Sequence, residues 1–107
     1  MITDRRSTTE VSVSATELLA LLSDDPAREI LHALTDTAKP ARALAAETDS
    51  SRSTVYRRLN RLQRAGLVEA SMTYDADGHH RERFRATVER ATLKLGEDGV
   101  EVVDIEE

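Results

Sequence analysis

Apolar residues recur at helical spacing through the first two thirds of the chain and then, beyond Gly66, switch to alternation. Residues 1–13 show little periodicity and are rich in Ser and Thr, which predicts a flexible arm ahead of a domain over 14–107. From Ser14 or Thr16, either of which can cap a helix, Leu18, Leu19, Leu21 and Leu22 mark the first helical face. Asp24-Asp25-Pro26 breaks the chain and starts a second helix to about Thr35, because proline loses no needed hydrogen bond in a first turn; Ile30, Leu31 and Leu34 are its expected buried residues. Lys39-Pro40 starts a short third helix through Ala41, Leu44, Ala45 and Glu47, and Thr48-Asp49-Ser50 reads as a tight turn. Ser50 or Ser51 caps the longest helix, 52–65, in which Val55, Leu59 and Leu62 form one stripe and Gly66 is a left-handed terminator.

Past Gly66, Val68, Ala70, Met72 and Tyr74 share a strand face, a turn falls at Asp75-Ala76-Asp77-Gly78, and a return strand runs over 81–87. A second turn, Gly96-Glu97-Asp98-Gly99, separates strands over 91–95 and 100–105. The whole predicts an α+β winged helix-turn-helix: about four short helices, a β-hairpin wing, and a second C-terminal hairpin where a closing helix could have stood.

Charge sharpens the functional expectation. The net charge of −5 argues against a nucleic-acid partner until its distribution is considered. Residues 51–90 hold nine arginines against five acids, whereas 1–50 hold five bases against nine acids and 91–107 one lysine against six acids. Screening confines each charge's influence to about 10 Å at ~0.1 M salt, so a basic block between acidic flanks still presents a positive face. With Val55, Leu59 and Leu62 turned inward, the opposite side of helix 52–65 presents Ser53, Arg57, Asn60 and Arg64, with Tyr56 and Arg61 at its edges. Its five arginines and no acid repel one another unless something negative lies against them, and arginine and asparagine make bidentate contacts to guanine and adenine edges. Ser51, Ser53 and Thr54 at the helix start offer hydroxyls and free N–H groups to a phosphate. On the wing, Arg81, Arg83 and Arg85 alternate and share a face, with His79 and His80 at the tip, His79 as a backbone contact. The bland reading of all these cations is a solvated face balanced by acids elsewhere.

The run Leu21-Leu22-Ser23-Asp24-Asp25-Pro26-Ala27-Arg28-Glu29-Ile30-Leu31 resembles the opening helices of ArsR-like winged-helix regulators. Ser53-Thr54-Val55-Tyr56-Arg57-Arg58-Leu59, with Leu62 and Ala65-Gly66-Leu67-Val68, is similar to their recognition helix and entry to the wing. The resemblance covers roughly residues 15–87 and implies a regulator that binds double-stranded DNA, commonly as a homodimer, with first base contacts from Arg52, Ser53, Tyr56 and Arg57. The chain departs from metal-sensing members: it has no cysteine and lacks their long last helix. No metal, cofactor or catalytic residue is expected; His32 reads as an ordinary helix residue, and no phosphate-binding glycine loop or His–carboxylate spacing suggests an enzyme. The polar, charged Met1–Glu10 and the lack of any apolar run near ~20 residues point to a cytoplasmic protein without a membrane span. Thirteen of the fifteen basic residues are arginine and acids exceed bases, a bias that resembles proteins of halophilic archaea, with a GC-rich genome as the alternative cause. The functional alternative to DNA binding is a winged-helix module that docks protein instead.

Overall fold

A computed structural model describes residues 13–107. Four helices, α1 (Ala15–Ser23), α2 (Asp25–Ala33), α3 (Ala41–Thr48) and α4 (Arg52–Arg64), precede two antiparallel hairpins, β1 (Val68–Tyr74) with β2 (His80–Ala86) and β3 (Arg90–Gly96) with β4 (Gly99–Glu106). This is the α+β order of a winged helix-turn-helix. Most of the expected arm, residues 1–12, lies outside the described residues, while Val13, placed in that arm by sequence, is 6% exposed and part of the core.

Local chemistry sets the helix ends. The Ser14 hydroxyl accepts from the Glu17 N–H at 3.1 Å, and Asp24 Oδ2 accepts from the Ala27 N–H at 2.9 Å with Pro26 in the first turn of α2. α2 ends at Ala33, two residues earlier than expected, where the Leu34 N–H is shared between the Ile30 and Leu31 carbonyls (3.2 and 3.1 Å) and the Thr35 N–H bonds the His32 carbonyl only three residues back (3.3 Å). Asp49, at φ 55°, closes α3 in the left-handed region that aspartate tolerates. At the end of α4 the Gly66 N–H reaches the Gln63 carbonyl (3.0 Å) and the Leu67 N–H the Leu62 carbonyl (2.9 Å). That paired closure requires the φ of +79° that Gly66 supplies without a side-chain penalty.

Leu18, Leu21, Ile30, Leu34, Leu44, Val55, Leu59, Leu62, Leu67 and Phe84 form the centre of one apolar core. Leu31, expected inside, is only half-buried. Phe84, which no periodicity singled out, is buried in this core, and its backbone forms an isolated bridge with Lys39, both N–H···O distances being 2.8 Å. The Ala86 N–H to Leu34 carbonyl (3.1 Å) and Thr87 N–H to Leu67 carbonyl (2.9 Å) bonds complete the attachment of the wing to the helices. Farther out the wing loses its cover: Val68 is buried, but Met72 and Tyr74 on the same face are 52% and 69% exposed. In the second hairpin Val102 and Ile105 pack against the core and β4 lies on α1, while β3 is exposed throughout.

Candidate nucleic-acid interface

α4 is oriented by one buried stripe and two ion pairs. Val55, Leu59 and Leu62 enter the core, which leaves Arg52, Ser53, Tyr56, Arg57, Asn60 and Arg64 exposed. Arg58 turns back instead: its Nε and Nη2 donate to both carboxylate oxygens of Asp24 at 2.6 and 3.1 Å, with side chains about one-fifth exposed. The fork of two N–H bonds holds the Asp24 carboxyl below the ordinary aspartate value, the Arg58 hydrogen bond outweighing the cost of burial, and raises Arg58 in return. Asp24 therefore caps α2 and clamps α4 at once. Arg61 faces Glu17 of α1 at 3.5 Å, so this predicted contact residue is partly neutralised by the protein itself.

Arg52, Arg57 and Arg64 have no ion-pair partner among the described residues. Arg57 and Arg64 share one exposed face with Asn60, with Tyr56 at its edge, while Arg52 is exposed in the first turn on another side of the helix. Arg57 Nη2 comes within 3.4 Å of the Thr54 hydroxyl. The Ser51 hydroxyl caps the helix by accepting from the Thr54 N–H at 3.1 Å and also lies 3.2 Å from the Ser53 hydroxyl and 3.0 Å from that of Thr54. The Ser51 hydroxyl is thus engaged with both Ser53 and Thr54, of which Ser53 is exposed and Thr54 half-buried.

The wing is less basic in effect than in sequence. Its register sets Arg81, Arg83 and Arg85 opposite Thr73, Ser71 and Glu69. Arg81 pairs with Asp75, Arg85 Nε lies 3.2 Å from Glu69, and His79 Nδ1 lies 2.9 Å from Asp77. Hydrogen bonds from the His79 backbone and ring lower the Asp77 carboxyl. Arg83 forms no ion pair among the described residues. On the opposite face, Tyr74 and His80 stack edge to face with ring centroids 4.3 Å apart.

α3, the Asp49 turn and α4 are thus placed as a helix-turn-helix unit with a wing behind it. Residues 22–70 match the family model of a helix-turn-helix domain. The matched span takes in α2, α3 and α4 whole and ends inside β1, so it supports a DNA-binding regulator of the winged helix-turn-helix kind. No curated protein matches the chain. Among the described residues no helix is long and apolar enough to cross a membrane.

Proposed function

We propose that this chain is a sequence-specific regulator of transcription that binds double-stranded DNA as a homodimer, with α4 in the major groove and the wing over 67–87 against the backbone. The observation that carries this reading is the exposed face of α4, where Arg57, Asn60 and Arg64 stand together, with Arg52 exposed in the first turn, while Arg58 and Arg61 are held by Asp24 and Glu17. An α-helix fits the major groove, and these side-chain types read guanine and adenine edges there. A mobility-shift series with genomic fragments at graded salt tests it: retarded bands with a preferred fragment are expected, and no retardation at ~50 mM salt overturns it.

The wing favours a second reading, docking of protein, because two of its three arginines are already paired and Met72 and Tyr74 are exposed. Its share in DNA binding is measurable. Arg83→Ala is expected to flatten the slope of log affinity against log salt by about one unit, the value for one lost phosphate contact. Arg85→Ala should flatten it less, since Arg85 must leave Glu69 before it serves a phosphate. Equal, unchanged slopes for both variants would remove the wing from the interface.

The acid excess outside α4 supports a protein suited to a salty cytoplasm. The acids repel one another at low salt, and the screening length falls from about 10 Å at ~0.1 M to about 3 Å at ~1 M. The melting temperature is therefore expected to rise between ~0.1 and ~2 M KCl; a flat or falling curve leaves the arginine bias to genome composition.

A further inference from the structure

The second hairpin carries more apolar surface than the monomer covers. Register places Ala91, Leu93 and Leu95 of β3 on one face with Ile105, Val102 and Val100 of β4. Val102 and Ile105 reach the core, but Leu93, Leu95 and Val100 are 36%, 81% and 39% exposed. Among the described residues β3 pairs with β4 alone, which leaves its outer edge an unpaired ladder there, and an edge with apolar residues on it is a template for another strand.

Which strand fits is settled by the edge itself. Gly96 pairs with Gly99 across the two-residue turn Glu97-Asp98, so the hydrogen-bonded pairs to β4 are those of Gly96 and Lys94. Leu95 and Leu93 then direct their N–H and C=O groups outward, and because the register shift between Thr92 and Leu93 is taken up by the extra Val103 on β4, Ala91 keeps the same alternation on β3. A second β3 running antiparallel about Leu93 meets those groups with its own Leu93, and sets each Ala91 opposite a Leu95, each Thr92 opposite a Lys94 and each Arg90 opposite a Gly96. Within β3 no like charges oppose one another in this register and apolar residues meet apolar residues; one step beyond it each Glu97 falls opposite a Glu89.

The same register also accounts for a groove. Beside the root of β3, Leu22, Leu31, Val88 and Ala91 line an open apolar depression of about 300 Å³ between α1, α2 and the strand. Ala91 is the residue that a partner's Leu95 would face, so the most exposed leucine of one hairpin lies at the lip of the other's groove. The turn that follows carries Glu97 and Asp98, and the groove's lining includes His32, Arg28 and Arg90 beside Glu89, with Arg28 already paired to Asp25 at 2.6 Å and Arg90 3.5 Å from Glu106.

We infer that two copies of this chain join through β3, forming a four-stranded sheet about Leu93 in which the tip of each hairpin covers the apolar groove of the other. This deepens the homodimer reading above by naming its surface, and it places the two-fold axis on an element that stands where a dimerising last helix was absent.

The chain's lack of cysteine makes single substitutions clean probes. Paired residues of this kind have Cα atoms about 5.5 Å apart, inside disulfide reach of about 4.4–6.8 Å. Under mild oxidant in ~1 M KCl without DNA, Leu93→Cys is expected to run mostly as a disulfide dimer. Ala91→Cys and Leu95→Cys, each about 13 Å from its own copy, should form no disulfide alone and cross-link when mixed. Leu93→Asp should halve the sedimenting mass with an unchanged circular dichroism spectrum. A dimeric wild type whose Leu93→Cys variant does not cross-link overturns this surface and leaves the homodimer standing; a monomeric wild type overturns both. Cross-linking at Leu93 in a protein that retards no DNA upholds the interface and overturns the DNA reading alone.

Discussion

Replacing Asp24 by alanine is expected to lower stability by about 2–4 kcal/mol, since one carboxylate is lost from two places. An N-cap is worth about 0.5–2 kcal/mol, and a half-buried charge-assisted fork about 1.5–3 kcal/mol, reduced here by the one-fifth exposure of its side chains. Arg58 would also be left against the helices without its acceptor. For a domain of this size each 1 kcal/mol moves the melting temperature by about 4–8 °C, so a fall of roughly 8–30 °C should follow. Asp24→Asn separates the two roles: the amide oxygen still caps Ala27, so its loss should be the smaller. Because Asp24 titrates below its ordinary value in the folded chain, its charge stabilises the fold fully above pH ~4 and that contribution disappears as pH falls through the lowered folded value. The acid limb of the stability curve should therefore be shallower in Asp24→Asn than in the wild type. Equal melting temperatures for wild type and Asp24→Ala would mean the clamp contributes nothing.

Arg57→Ala is expected to weaken binding to a preferred DNA fragment by about 1–3 kcal/mol, roughly 5- to 150-fold, while leaving the melting temperature nearly unchanged. Its guanidinium is exposed, has no ion-pair partner among the described residues and contributes nothing to the core. If it meets a base edge, the loss falls on the preferred fragment and base preference relaxes; a loss shared equally by random DNA would make it a phosphate contact. Arg58→Ala provides the contrast, since its partner is Asp24: that variant should lose stability first and affinity only through the loosened angle of α4.

The helices and their order are legible in the sequence because the forces that delimit them are local. Ser14, Asp24 and Ser51 each bond an N–H three residues on, Pro26 suits only a first turn, and Gly66 takes up a backbone angle that other residues resist. The Val55-Leu59-Leu62 stripe likewise identifies the inner side of α4, and with it the exposed side that carries Arg57, from spacing alone. Both hairpins and their turns follow from alternation interrupted by glycine and acidic residues. What spacing cannot contain is the company each side chain keeps across the fold. Five arginines on α4 look equivalent along the chain, yet Arg58 meets Asp24 from 34 residues away and Arg61 meets Glu17, so the available charge is concentrated on Arg52, Arg57 and Arg64. The wing's arginines look free in sequence and are largely engaged by Asp75 and Glu69 once the register brings them together. Alternation assigned Val68 and Tyr74 to one face, but only the packed helices decide that cover stops after Val68 and that Phe84 is enclosed. Caps and periods act over one turn or one pleat and can be read in order, whereas ion pairing and burial depend on distance in space, which exists only after the elements have packed.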